Sequence, residues 1–171
     1  MSSRRVNATL NRAYTLVEVL VVIVVLGIAG AIVVPQMLNA GQLGVQAAAR
    51  MIIADMHYAQ NDAVAKQQPR FVEFDPDADT YKLTDADGNT IDLQWRIGAG
   101  QQYQVNFAQD NRFRGVEMES ADFDGEPVLA FDMLGTPEAG GKVVLKYNDQ
   151  LYEIRVAPFT GRITVEPVTG D

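Results

Sequence analysis

The sequence predicts an α+β protein in which one long N-terminal helix, membrane-spanning in its first half, carries a small antiparallel two-sheet β-sandwich. Three patterns support this class. They are an uncharged apolar run from Val19 to Val34, a helical apolar periodicity from Gln42 to Lys66, and short alternating strands between turn residues in the rest of the chain. The strands have about 100 residues, which is enough for one hydrophobic core and not for two.

The first segment is a helix of membrane length that contains one carboxylate. Tyr14 to Val34 provides about 20 residues, and at about 1.5 Å per residue these span the hydrocarbon core of a bilayer. Glu18 lies near the start of this segment, where an acidic side chain raises the free energy of insertion and usually has a partner. The candidate cations are Arg12 and a free amine made by cutting the chain before Tyr14.

The residues Ala13-Tyr14-Thr15-Leu16-Val17-Glu18 resemble the prepilin-peptidase site of type IV pilins and type II secretion pseudopilins. In that family Gly precedes Phe-Thr-Leu-(Ile/Val)-Glu, so Ala13 and Tyr14 are two departures from the pattern. The resemblance implies that a membrane aspartyl peptidase cleaves between Ala13 and Tyr14 and methylates the Tyr14 amine. It also implies that Glu18 neutralises this amine in a neighbouring subunit and sets the register of helices in a filament.

A basic start followed by an apolar run is also typical of two simpler kinds of segment. One is a secretory signal peptide that is cleaved after Ala29-Gly30-Ala31, and the other is an uncleaved single-pass membrane anchor. Neither kind of segment gives Glu18 a role. We therefore expect prepilin-type processing.

The charges predict orientation and partners. The three arginines among residues 1–13 should stay in the cytoplasm, so the chain after Val34 should lie in the periplasm, outside the inner membrane. Removing residues 1–13, which contain no acid, changes the formal net charge from -8 to -11. Such an acidic surface repels nucleic acid and anionic lipid headgroups. The absence of cysteine excludes a disulfide framework and a thiolate metal site.

The helix is predicted to continue beyond the membrane. Pro35 follows the apolar run and should kink the helix, because proline lacks a backbone donor. One face is predicted to pack on the β domain: Ala47, Met51, Ala54 and Tyr58, widened by Ala48, Ile52, Ala59 and Ala63. The opposite face is predicted to be polar: Arg50, Asp55, Asn61, Asp62 and Lys66. His57 is the one histidine, and we expect no catalytic role for it.

Short strands follow Gln67-Gln68-Pro69. Period-two patterns and turn residues predict them at Arg70–Phe74, Thr80–Thr84, Ile91–Ile97, Tyr103–Phe107, Val116–Met118, Val128–Phe131, Lys142–Tyr147, Leu151–Val156 and Arg162–Val165. Many short strands with such turns are typical of antiparallel sheets packed face to face.

A second resemblance concerns the C-terminal part. The stretch from Phe131 to Pro137, the pair Gly140-Gly141, and Thr160-Gly161 are similar to segments of GspH/FimT-type minor pilins and pseudopilins. Together with the N-terminal motif, this implies a pilin-like fold. The predicted organisation is a leader at 1–13, a transmembrane and assembly helix at 14–68, a periplasmic β domain at 69–167 and a tail at 168–171.

The sequence lacks the common motifs for metal binding and catalysis. Asp75 to Asp79 resembles the start of a calcium loop, but the required Gly and Glu are replaced by Thr80 and Ala86, so we expect solvated turns and no metal. Without a second histidine or any cysteine, the chain has no evident nucleophile and base pair. We predict a substrate of prepilin peptidase, not an enzyme, with no cofactor.

The predicted function is that of a minor pseudopilin of a type II secretion system, which assembles with other pseudopilins and helps to export proteins. One alternative is a minor type IV pilin that acts in pilus assembly or DNA uptake, and another is a secreted, soluble β-sandwich binding protein. The cations available for DNA are few: Arg112 with Arg114, Lys142 with Lys146, and Arg155 with Arg162. Nucleic acid is therefore an unfavoured partner.

Overall fold

The computed structural model describes residues 14–92 and 102–168, with backbone alone at 32–42 and 167. Helix α1 spans Leu16–Lys66. The strands that follow are β1 Arg70–Asp75, β2 Thr80–Asp85, β3 Gln104–Asn106, β4 Val116–Asp122, β5 Val128–Phe131, β6 Gly141–Tyr147, β7 Gln150–Val156 and β8 Ile163–Val168. The chain divides into two compact units, Met1–Leu38 and Asn39–Asp171, and α1 begins in the first and ends in the second.

The strands form two four-stranded antiparallel sheets. The first has the order β3-β2-β1-β5 and the second the order β4-β6-β7-β8. Short turns join β1 to β2, β6 to β7 and β7 to β8, so most neighbouring strands are also consecutive in the chain. The predicted α+β class with two antiparallel sheets is confirmed.

The core of the second unit lies between α1 and both sheets. The helix contributes a buried stripe of Val45, Ala48, Ala49, Ile52, Met56, Ala59 and Ala63. These side chains pack with apolar residues from the first sheet, such as Leu83 and Leu129, and from the second, such as Leu145 and Ile154. At about 25 cal/mol per Å² of apolar surface removed from water, this shared core is the main source of stability.

The predicted packing face of the helix was partly wrong. Ala47 and Ala54 are exposed, whereas Asp55, which was predicted on the polar face, is buried. Asp55 can be buried because two tyrosine hydroxyls donate hydrogen bonds to it. The wider set of Ala48, Ile52, Ala59 and Ala63 is buried as predicted.

The aspartates of the predicted turns accept backbone hydrogen bonds. Asp75 Oδ1 accepts from the N–H of Ala78 at 3.1 Å, and Asp85 Oδ1 accepts from the N–H of Asn89 at 2.9 Å. Asp79 has a larger role, because its Oδ1 accepts the N–H of Met118 at 2.7 Å and so links the β1–β2 turn to β4. Here the register shifts between Met118 and Ser120, as in a β-bulge.

Some predictions fall outside the described parts of the chain. Most of the predicted strand Ile91–Ile97 lies there, and its first two residues are not in a strand. The backbone of α1 continues through Pro35, and the kink there stays a prediction. Within the described ranges, no helix is both long enough and apolar enough to cross a membrane.

Candidate functional site

The N-terminal motif lies at the start of α1. Tyr14 precedes the helix and its residue surface is 77% exposed. Thr15 caps the helix: its Oγ1 accepts the N–H of Glu18 at 3.2 Å, and its carbonyl accepts the N–H of Val19 at 3.2 Å. Glu18 is exposed in the first turn, where a negative charge is favourable at the positive end of the helix dipole.

The helix cap by Thr15 was not predicted, although the sequence contains the pattern for it. Thr15 and Glu18 have the Thr-x-x-Glu spacing of a capping box. Among the described residues, no Lys or Arg side chain lies within ion-pairing distance of Glu18. Ala13 and Arg12 lie outside the described residues, so cleavage before Tyr14 and the pairing of Glu18 stay predictions.

The first part of α1, which carries the motif, has apolar side chains on all sides. From Leu16 to Leu26 every side chain except Glu18 is apolar, and all are exposed in the described unit. Exposed apolar surface of this extent marks a segment that contacts lipid or protein. Among the described residues of the first unit, none covers these apolar side chains.

In the second unit, a buried carboxylate connects α1 to the first sheet. Asp55 Oδ2 accepts a hydrogen bond from the hydroxyl of Tyr81 on β2 at 2.6 Å and another from the hydroxyl of Tyr103. Burial, followed by the charge of Asp55, raises the pKa of Tyr81 well above its ordinary value of 10.0. The neutral tyrosine is therefore the form that the fold requires.

The C-terminal end of α1 is bound to β1 by an arginine. Arg70 Nε donates to Asp62 Oδ2 at 2.6 Å, and Arg70 Nη1 donates to the carbonyl of Pro69 at 2.9 Å. Both side chains are largely shielded from water, with 4% of Arg70 and 10% of Asp62 exposed. Their pairing joins the helix end to the first residue of the sheet.

Gln60 joins the helix to two turns of the β domain. Its Nε2 donates to the carbonyl of Gly135 at 2.8 Å. A Cβ at position 135 would lie 2.7 Å from Val64 Cγ2, and a Cβ at position 161 would lie 2.7 Å from Gln60 Nε2. Both glycines also have positive φ angles, 78° and 63°. Two of the three C-terminal motifs named in the sequence, Phe131 to Pro137 and Thr160-Gly161, thus contain the points where the turns approach the helix, whereas Gly140 and Gly141 lie against Pro158 and Phe123.

Comparisons with known proteins agree with this architecture. Residues 9–34 match the family described as the prokaryotic N-terminal methylation motif. The type IV minor pilin FimU of Pseudomonas aeruginosa superposes with a TM-score of 0.51 and 19% identity, over 74% of this chain and 89% of FimU. The fold is that of a GspH/FimT-type minor pilin or pseudopilin. No curated protein matched the sequence significantly.

A second solved structure shares this minor-pilin fold. The minor pseudopilin EpsH from the type 2 secretion system of Vibrio cholerae superposes with a TM-score of 0.51 and 12% identity, over 71% of this chain and 94% of EpsH. Pilin and pseudopilin are thus equally similar in fold. Both are structural subunits and not enzymes, which agrees with the prediction that this chain is not an enzyme.

Most cations in the described part of the β domain are neutralised by carboxylates within it. Arg112 pairs with Asp110 at 2.6 Å, Lys142 with Glu153 at 3.2 Å, and Lys146 with Glu119 at 3.4 Å. Arg155 also pairs with Glu153. Four of the six cations proposed for DNA contact are therefore beside carboxylates, which lowers the local positive potential that phosphate binding needs.

Proposed function

We propose that this chain is a minor pseudopilin of a type II secretion system. It would be made with a leader at 1–13, cleaved before Tyr14, methylated there, and assembled with other pseudopilins into a short periplasmic filament. The observation that carries this proposal is the N-terminal methylation motif at the head of an exposed apolar helix, in a chain with a minor-pilin fold.

Processing is supported by the local structure at the motif. Tyr14 is exposed and lies outside the helix, and the cap by Thr15 begins the helix at Leu16. A peptidase needs an extended, accessible peptide, because the carbonyl groups inside a helix are hydrogen-bonded. Tyr14, the residue after the proposed cut, is accessible and is not in the helix, which is compatible with cleavage.

The exposed apolar start of α1 supports a location in the inner membrane. Its exposed side chains would lie in lipid before assembly and among the helices of other subunits afterwards. The arginines at positions 4, 5 and 12 would keep the leader in the cytoplasm, so the β domain would be periplasmic.

In this proposal Glu18 has two successive partners. In the single subunit, its carboxylate lies in the first turn and benefits from the helix dipole. In the filament, it would pair with the methylated amine of Tyr14 in the next subunit. A buried charge needs such a partner in an apolar surrounding, so the pair would select one register between helices.

The intact mass of the exported protein tests the proposal. We expect a chain that begins at methylated Tyr14. A chain that begins at Ile32 would identify a secretory signal peptide, and a chain that retains residues 1–13 would identify an uncleaved anchor. Either result would contradict the pilin-type assignment.

A minor type IV pilin is the second candidate, and the similarity to FimU favours it as much as EpsH favours the first. Deletion of the gene separates the two. Loss of protein export with normal surface pili would support the pseudopilin, and loss of pili with normal export would support the pilin. A role in DNA uptake would require a gel shift with duplex DNA that persists at physiological salt, which the paired cations argue against.

A further inference from the structure

The first turn of α1 begins directly after the proposed cut. The helix starts at Leu16, and Tyr14 and Thr15 precede it. The proposed hydrolysis joins a water oxygen to the carbonyl carbon of Ala13, breaks the C–N bond to Tyr14 and moves a water proton to the new amine. Inside a helix, the carbonyl of residue i accepts the N–H of residue i+4 and is shielded by the next turn. The position of the helix start therefore decides whether the attacked carbonyl is accessible.

Thr15 makes both hydrogen bonds of an N-cap. Its Oγ1 accepts the N–H of Glu18 at 3.2 Å, and its carbonyl accepts the N–H of Val19 at 3.2 Å. Without the first bond, the N–H of Glu18 has no partner within the helix, because the first N–H groups of a helix lack a carbonyl four residues earlier. An unpaired N–H is costly in an apolar surrounding. The hydroxyl of Thr15 therefore stabilises a helix start at this position.

The sequence upstream contains a second, weaker helix start. Asn11 is the nearest upstream residue of a type that caps helices well. A helix capped at Asn11 would include the bond to be cut, and the carbonyl of Ala13 would accept the N–H of Val17. This start places Arg12 at the positive end of the helix dipole and has no Glu or Gln three residues after the cap. It should therefore gain weight only when the cap by Thr15 is lost.

We infer that Thr15 is a positioning residue for the cleavage, because its side chain fixes the helix start at Leu16 and keeps the bond between Ala13 and Tyr14 out of the helix. This inference rests on the proposed function, since it concerns the same cut. Thr15 acts through the backbone, without contact between its hydroxyl and the peptidase. Any side chain that caps a helix should therefore replace it, and a side chain of the same shape without an acceptor should not.

Cleavage of full-length variants by purified prepilin peptidase in detergent tests the inference. Thr15→Ser and Thr15→Asn keep an acceptor, whereas Thr15→Val keeps the shape of threonine and loses the acceptor. We expect the Ser and Asn variants to match the wild type. Thr15→Val should raise KM about two- to fivefold at unchanged kcat, because a typical N-cap contributes a factor of about five and the helical form of the site does not bind.

The same substitution elsewhere provides a matched control. Thr9→Val makes an identical chemical change in the leader, upstream of both helix starts. We expect its KM and kcat to equal those of the wild type. Thr15 itself is exposed and lies outside the hydrophobic core, so none of its variants should change the unfolding temperature of the β domain.

The helix start is observable in the uncleaved chain. In micelles, the Cα chemical shifts of Ala13 and Tyr14 report whether these residues are helical, and hydrogen exchange of the Glu18 amide reports its hydrogen bond. We expect Thr15→Val to move both shifts towards helical values. Thr15→Asn should keep the wild-type shifts and the protection of the Glu18 amide.

Several outcomes would overturn the inference. One is an equal KM for Thr15→Val and the wild type, and another is a defect of the same size in Thr9→Val. Slow cleavage of Thr15→Asn beside normal cleavage of Thr15→Ser would mean that the peptidase contacts the hydroxyl directly. Slow cleavage of Thr15→Val without a shift towards helix, or with a lower kcat and an unchanged KM, would also contradict a role through the helix start.

The intact mass of the wild-type product separates this inference from the proposed function. A wild-type chain that is not cut before Tyr14 would overturn the proposed function, whatever the variants show. Correct cleavage of the wild type with equal KM values in all variants would overturn only the role of Thr15.

Discussion

The buried carboxylate of Asp55, on α1, accepts hydrogen bonds from two tyrosine hydroxyls of the β domain. Tyr81 comes from β2, and Tyr103 lies directly before β3. A buried charge without hydrogen bonds would strongly destabilise the fold, whereas hydrogen bonds to a charged group are worth about 1.5–3 kcal/mol each. The two tyrosine hydroxyls therefore bind the helix to the first sheet at Asp55.

We expect Tyr81→Phe to lower the free energy of unfolding by about 1.5–3 kcal/mol, because Asp55 loses one buried donor. Urea unfolding of the purified chain measures this change. Tyr152→Phe is the matched control, since the hydroxyl of Tyr152 makes an exposed bond of 3.5 Å to Gln150. Equal losses in the two variants would show that the buried bond has no special weight.

The same contact predicts a dependence on alkaline pH. The pKa of Tyr81 is raised above 10.0 in the fold, so the unfolded chain loses this proton at a lower pH than the native chain does. The contribution to stability is complete below about pH 10 and is lost as the pH rises through the native pKa. Tyr81→Phe should flatten this decline in unfolding experiments, and a decline as steep as that of the wild type would contradict the assignment.

Two glycines with nearly equal φ angles allow the cost of steric crowding to be measured apart from the cost of backbone strain. Gly135 has φ 78° and would place a Cβ 2.7 Å from Val64, whereas Gly88 has φ 79° and open space around it. We expect Gly88→Ala to cost about 1–2 kcal/mol from backbone strain, and Gly135→Ala to cost about 1–3 kcal/mol more. Thermal unfolding measures both losses. Val64→Ala should restore part of the stability of Gly135→Ala, and a failure to do so would argue against the close approach.

At the scale of elements, the ion pair between Asp62 and Arg70 joins the end of α1 to β1, and the same carboxylate also pairs with Lys66 of the helix itself. Asp62 pairs with buried Arg70 at 2.6 Å and with Lys66, 55% exposed, at 3.3 Å. We expect Arg70→Gln to cost about 3 kcal/mol and Lys66→Ala less than about 1 kcal/mol, since water screens the exposed pair. Chemical unfolding of both variants provides the comparison, and similar losses would contradict a role for burial.

Local patterns predicted the strands well. The predicted strand Arg70–Phe74 is observed as Arg70–Asp75, because the alternation and the proline turn that follows are both local. The packing face of α1 was harder to predict. Alanine occurs on several sides of this helix, so it does not mark one face. Asp55 was wrongly predicted to be exposed, because the tyrosines that make its burial possible lie 26 and 48 residues away in the sequence.

The rest of the candidate site depends on contacts between segments that are far apart in the sequence. The bond from Asp79 to β4 joins residues 39 apart, and the bond from Gln60 to Gly135 joins residues 75 apart. No local pattern specifies such pairs, although the glycines themselves were noted as part of a family resemblance. The N-terminal motif is different, because its residues are contiguous and its match spans residues 9–34.

At the scale of the whole molecule, the chain combines an acidic β domain with an apolar helix start. The net charge of -8 disfavours unspecific association of the domains, while the exposed apolar residues of α1 favour burial in lipid or among helices. Assembly would therefore depend on the helix and on specific contacts of the domain. Within the helix start, Glu18 is the one charged residue between Leu16 and Ala31.

We expect Glu18→Ala to leave membrane insertion and cleavage before Tyr14 largely intact but to reduce incorporation into the filament about tenfold or more. Removal of the carboxylate makes insertion easier, yet it leaves the Tyr14 amine of the neighbouring subunit unpaired in an apolar surrounding. Chemical cross-linking in the producing cell, followed by quantification of the adducts of this subunit with other pilin-type subunits, measures incorporation. Glu117→Ala is the control, because it removes the same charge from an exposed site on β4. Normal incorporation of Glu18→Ala would show that the charge pair is dispensable, and an equal defect in Glu117→Ala would assign the effect to net charge alone.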